Sequence, residues 1–434
     1  MRRALMLLVL LSGGAVGSSL TPTAMVDTLP PIPPSSEPAS RPADDVVRVL
    51  MRGTPGRALS ATLPALLPDG VSVISAEDEL DEGLISRVRV LDGVVATTIV
   101  RSATVGLLGS VDADGTPRDV LPRGMRIPVS VTAVDPSDYL DVFVGEVDAS
   151  DVVLVQGLAP GTALLSRSSA ALRGLDVGGT VDLGDARGLI VAGVVPDDVA
   201  RGNEFVVHAD DAAPIDLGFG GRESMLVRRA GTRVVQDALD RWVEEVDPSG
   251  EDVRVWHAGR RIPLVLSTVA VKERFGEFAF RLVLDQREVV VDPAFVDANI
   301  VEERMPVIGT VRCHRLIMDD LRAAVDELVA AGYEEWLSPR RYAGCYHPRR
   351  IGFGRETLSR HTWGIAIDLN VDVALPGLGP VAPDEVVAIM GRHGFRWGGD
   401  FTTPDNHHFE WIGEAALLRP ERTDPTSDVD PGRG

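Results

Sequence analysis

Residues 359–370 read SRHTWGIAIDLN, and within them His361 and Asp368 stand seven positions apart around Gly364. As a strand, this stretch turns Ile365, Ile367 and Leu369 to one face and Ala366, Asp368 and Asn370 to the other, because successive side chains alternate. Asp368 is then expected to face a cleft, with room left beside it by the small Ala366. A bend at Gly364 brings the His361 imidazole back toward the carboxylate. One imidazole and one carboxylate are too few for a catalytic zinc ion, which takes three protein ligands and keeps a position open for water. The third is expected from DNHHFEW, residues 405–411. If HFEW enters a strand, His408 and Glu410 share one face and His407 and Phe409 the other, so His408 is the natural ligand and His407 a structural or solvent-facing residue. Asp405 precedes His408 by three residues, within reach to take a proton from an activated water and return it to a leaving amine. Glu410 is the competing base, or else a group that orients the His408 imidazole. The plainer alternative for the same residues is a buried His361–Asp368 pair and an ordinary polar turn at DNHH.

The elements that must position these groups begin near Val265. EFAFRLVLDQREVVVDPAFV offers strand-like runs, and CHRLIMDDLRAAVDELVAAGY repeats Ile317, Leu321, Ala324, Val325 and Leu328 at helical spacing before Gly332. PDEVVAIMGRHG reads as a second helix, with Pro383 and two acids at its start and Gly394 after its end. His393, at that end, suits the helix dipole better than a metal, and Trp363 suits a core. Six of the eight histidines lie between His314 and His408, which concentrates the chemistry in this part of the chain. Cys313 and Cys345 are the only cysteines and read as a disulfide in an oxidising compartment.

Upstream, residues 45–255 are short Val, Ile and Leu runs broken by Gly, Asp and Pro, the pattern of a strand-rich mixed α/β domain. Its helical candidates are SRSSAALRGL from Ser166 and TRVVQDALDRWVEEV, where Val235, Leu239, Trp242 and Val246 share a face. His208 and His257 are isolated there and read as structural. Residues 1–17 have Arg2 and Arg3 before an apolar run and small residues, which reads as a signal peptide or, alternatively, a membrane anchor through residues 4–20. Residues 18–44 are a Pro/Ser-rich linker and 416–434 a polar, disordered tail. A formal charge of -21 opposes a groove that tracks nucleic-acid phosphates, so no nucleic-acid partner is expected.

GCYHPRRI, LSRHTWGIAIDLN, GFRWGGDF and DNHHFEW resemble, in order and spacing, the VanY-like D-alanyl-D-alanine carboxypeptidase family over about residues 265–415. The resemblance implies the hedgehog/DD-peptidase zinc fold, a small antiparallel sheet with helices, for a peptidase domain at 260–415. With the upstream region the fold class is α+β. It also implies zinc (Zn2+) held by His361, Asp368 and His408, with Asp405 as acid-base carboxylate where many relatives have glutamate. An arginine ahead of the histidine motif polarises the scissile carbonyl in such enzymes, and Arg349 matches best, with Arg350 beside it. Trp397, Gly398 and Gly399 are expected to shape the substrate groove. The implied substrate is the peptidoglycan stem peptide, cut by a carboxypeptidase or a cell-wall endopeptidase outside the cytoplasm. The alternative is a non-catalytic, zinc-containing module that binds wall peptide. A shorter stretch, LLSRSSAALRGLDVGGTVDL to LIVAGVVPD, resembles the extracytoplasmic domain of transporter permeases of the FtsX or MacB type, which implies a protein partner or membrane complex for 45–255.

Overall fold

A computed structural model describes residues 70–413, apart from 77–78, 185–187, 216–221, 231–232, 249–252, 258–264, 352–356, 372–379 and 402–404. The expected signal or anchor, the linker and the C-terminal tail lie outside the described residues. No helix among the described residues is long and apolar enough to cross a membrane.

The fold is α+β. Residues 71–257 build one 11-stranded mixed sheet, and residues 280–411 build two two-stranded sheets and one three-stranded sheet. In the large sheet the strand Ile127–Val134 lies inside, between Val94–Leu107 on one side and Phe205–His208 on the other. All eight of its residues are buried. Ile127, Val129, Val131 and Ala133 point into one apolar cluster, while Ser130 and Thr132 point to the opposite face, the period-two pattern of a strand covered on both sides. The strand pairs in parallel with Phe205–His208 and antiparallel with Val94–Leu107. Both helices expected from the sequence form, at Arg167–Arg173 and Arg233–Val246. The first starts on Ser166, whose hydroxyl accepts from the Ser169 N–H, and stops at Gly174.

In the C-terminal part, a single apolar cluster runs from Leu266 through the buried face of the helix Met318–Ala330 and on to Ile412. That helix begins later than its amphipathic pattern predicts. Cys313 and His314 belong instead to the strand Gly309–His314, where His314 pairs with Ile300 and Cys313 is bonded to Cys345. A short 3-10 turn at Arg315–Ile317 then leads into the helix, whose first turn holds Asp319 and Asp320. The helix Asp384–Arg392 packs beside it, and His393 at its end lies 2.7 Å from Glu327. The three-stranded sheet places His408–Trp411 between Ala366–Asp368 and Phe395–Trp397, all antiparallel.

Candidate metal centre

Strand pairing is what brings the sequence-distant candidate ligands together. Asp368 is the register partner of His408, and Ala366 the partner of Glu410. On that shared face the small Ala366 side chain stands opposite the long Glu410. His361 comes from a 3-10 turn, Arg360–Thr362, capped by the Ser359 hydroxyl, which accepts from the His361 N–H. The chain then reverses at Gly364 with φ +68°, and a Cβ there would meet the His314 nitrogen at 2.9 Å. Only glycine fits both the left-handed backbone and the close approach.

The result is three donor atoms around one point. His361 Nε2 is 3.0 Å from Asp368 Oδ1, His408 Nδ1 is 3.1 Å from the same oxygen, and the two nitrogens are 3.2 Å apart. A tetrahedral zinc with ligands at about 2.0–2.1 Å separates neighbouring donors by about 3.3 Å, so the spacing fits with minimal adjustment. The outer nitrogens fit as well. His361 Nδ1 donates to the Cys345 carbonyl at 2.8 Å, which leaves Nε2 bare and facing the other two donor atoms. His408 Nε2 stands 3.7 Å from Glu410 Oε2, an ion-pair distance that leaves Nδ1 for the centre. Glu410 is held in turn by Arg360, 3.3 Å away. Both imidazoles thus have the carbonyl or carboxylate partner that orients metal-ligating histidines.

The electrostatics favour a cation. Burial opposes ionisation of Asp368, but the His361 and His408 imidazoles packed against it hold its carboxyl well below the usual carboxylate range. Burial pushes the His361 imidazole down, toward the neutral form that ligates. Burial acts the same way on His408, yet the carboxylates of Asp368 and Glu410 on either side overcome it and push its pKa up to about 9. A divalent ion would displace that His408 proton.

Arg349 reaches the other oxygen of Asp368, with 3.4 Å from its guanidinium to Oδ2. Its backbone N–H donates to the Thr362 hydroxyl, which ties it to the turn that carries His361. Arg350 turns its guanidinium to the Gln286 carbonyl instead. Asp405 is anchored beside the centre by its backbone: its N–H donates to the Gly398 carbonyl, and its carbonyl accepts from the His408 N–H. Its half-exposed carboxylate lies 3.1 Å from His407 Nε2 and stands outside the three-donor cluster. A Cβ at Gly398 would strike the Asp405 carbonyl at 2.7 Å, and one at Gly399 would strike the Trp397 ring, so the close approach of the protein's own atoms requires glycine at both positions. Trp397 is buried and donates to the Asn406 carbonyl, which holds the turn in front of His408. Trp363 is core, as expected. The isolated His257 sits between Ser72 and Asp240. Two supporting groups escaped the sequence reading, Arg360 and the Cys345 carbonyl. Arg360 had a signal in its place next to His361, but a backbone carbonyl leaves none.

Residues 353–411 match the family model described as D-alanyl-D-alanine carboxypeptidase. The match holds the three clustered donors His361, Asp368 and His408 together with Asp405, and it begins after Arg349. No curated protein matches the chain. Two solved structures align at 14% identity each: the periplasmic region of MacB from Actinobacillus actinomycetemcomitans, over 44% of this chain and 89% of that one with TM-score 0.31, and the extracellular domain of the noncanonic ABC-type transporter YknZ from Gram-positive bacteria, over 43% and 100% with TM-score 0.28. Residues 353–411, which hold the three-donor centre, are therefore similar to D-alanyl-D-alanine carboxypeptidases.

Proposed function

We propose that the protein is an exported zinc peptidase that hydrolyses peptide bonds in peptidoglycan stem peptides, as a D-alanyl-D-alanine carboxypeptidase or a wall endopeptidase. The observation that carries this reading is the convergence of His361 Nε2, Asp368 Oδ1 and His408 Nδ1 inside the family-matched stretch. A zinc ion held by these three residues supplies Lewis acidity for a water molecule and for the scissile carbonyl. His361 and His408, fixed by the Cys345 carbonyl and Glu410, keep the donors aimed at one point. Asp405 leaves His407, takes the proton from the attacking water and delivers it to the departing amine. Arg349, already at the edge of the centre, stabilises the negative charge that develops on the carbonyl oxygen.

Arg2, Arg3 and the apolar run after them support export, with the segment either cleaved or kept as an anchor. Residues 45–255 and 260–415 are read as two domains, the first serving to dock the enzyme to a membrane complex. The test is mass spectrometry of stem peptides incubated with the full chain and with Asp405→Asn. The proposal expects wild type to release a terminal D-alanine or an internal fragment, and the variant to keep its zinc and lose at least about a hundredfold in rate. A wild type that holds zinc and releases nothing would identify a module that only binds wall peptide.

A further inference from the structure

We infer that Arg173 and Glu277, buried together between the large sheet and the C-terminal part, are positioning residues for the metal centre, so that the strand-rich region sets the geometry in which His361 and His408 meet. The inference rests on the metal reading above and extends it to residues that touch neither metal nor substrate.

The segment from Leu266 to Phe280 lies between the two. On one side it is tied to the large sheet by charge. Arg173, from the helix Arg167–Arg173, puts one nitrogen 3.0 Å from Glu204 and 2.9 Å from Glu277, and its other terminal nitrogen 3.5 Å from Asp119. Lys272, from the helix Thr268–Phe275, lies 2.9 Å from both Glu204 and Glu277. Glu204 is fixed by the Ser130 N–H in the central strand. Arg173, Lys272 and Glu204 are 0% exposed and Glu277 1%, so each charge depends on its neighbours in place of water. Two backbone hydrogen bonds between Arg126 and Phe280 close the same joint.

On its other side the segment grips both elements that present histidine ligands. The Gly276 carbonyl accepts from the Trp363 indole at 3.2 Å, and the Leu266 carbonyl accepts from Arg360. Arg360 opens the turn that carries His361, and Trp363 follows its end. Phe275 packs edge-on against Trp411, the last residue of the His408 strand, with ring centroids 5.3 Å apart, and its carbonyl accepts from His314. Phe278 packs on Trp363 at 4.7 Å. A shift of Glu277 therefore moves Gly276 and Phe278 first and, through them, the turn at His361. A buried ion cluster is a weak source of net stability but strongly resists the loss of one member, which suits it to fixing a geometry.

The test uses the full chain and cobalt(II) as probe, comparing wild type, Glu277→Gln and, as control, Glu327→Gln, which breaks an ion pair remote from the cluster. Glu277→Gln is expected to weaken cobalt binding by about three- to thirtyfold and to shift the visible absorption of the bound ion, with neither change in Glu327→Gln. A variant that only melts earlier, with cobalt affinity and spectrum unchanged, overturns the inference. A second arm uses wild type alone. Because coupling is reciprocal, metal loading is expected to slow amide hydrogen exchange in residues 127–134 and 167–173. If Glu277→Gln does not fold, slowed exchange there supports the inference and exchange unchanged outside residues 359–411 overturns it. Wild type that binds no cobalt would instead refute the metal reading itself.

Discussion

Replacing Glu410 by Gln tests how the centre is tuned, because Glu410 acts on His408 in two opposing ways. Its carboxylate, 3.7 Å from Nε2, orients the imidazole and raises its basicity, and losing such a partner typically weakens metal binding by about 10–100-fold. The same carboxylate also helps to push the His408 pKa up to about 9, so at pH 7 a proton competes with the metal. Two pH units of competition lower the apparent affinity of wild type by about a hundredfold at pH 7 relative to pH 9 and above. Glu410→Gln relieves part of that competition. The expected result is a loss of zinc affinity near the full 10–100-fold above about pH 9 and a smaller loss at pH 7. Zinc titrations against a competing chelator at several pH values measure this directly. Equal affinities of variant and wild type above pH 9 would refute the orienting role, and a loss independent of pH would refute the role in the His408 proton equilibrium.

Zinc binding by wild type at pH 7 is expected to release about one proton, from His408 and not from the already neutral His361 or ionised Asp368; calorimetry in buffers of different ionisation enthalpy checks this, and a buffer-independent heat contradicts it. The sign follows from the raised pKa of His408, so apparent affinity climbs with pH and levels off above about 9. Gly364→Ala is expected to cost about 3 kcal/mol, from left-handed strain and contact with the His314 nitrogen, and denaturant unfolding showing less than about 0.5 kcal/mol would contradict that account. Removing the disulfide with Cys313→Ser and Cys345→Ser is expected to cost about 3–4 kcal/mol and to weaken zinc binding as well, since Cys345 supplies the carbonyl that aims His361. Unchanged zinc affinity would separate the disulfide from the centre.

That Asp368 and His408 share a face was legible because strand alternation is a local rule: GIAIDLN and HFEW put each on a defined face, and the antiparallel register then joined them. Which imidazole nitrogen faces the centre was not legible, since it depends on a backbone carbonyl 16 residues before His361 and on the side chain of Glu410. The sequence puts Asp405 three residues before His408, within reach of an activated water, but gives no sign that its carboxylate also contacts His407. Lys272 and Glu277 in VAVKERFGEF look like ordinary surface charges on a short helix and its exit. Their burial comes from partners 68 and 104 residues earlier in the chain, Glu204 and Arg173, which no local pattern can reveal. The large sheet shows the same division. Its strand-rich character and two of its helices were evident from composition and spacing, but an order that interleaves early and late strands is set by long-range pairing.

His361, Asp368 and His408 are proposed to grip one zinc ion. Zinc-edge X-ray absorption of the purified, dialysed full chain measures it most directly. The expected result is one zinc per chain, with two imidazoles and light oxygen donors at about 2.0–2.2 Å. Little zinc after dialysis, or a sulfur neighbour at about 2.3 Å, would contradict it, because both cysteines are committed to the disulfide.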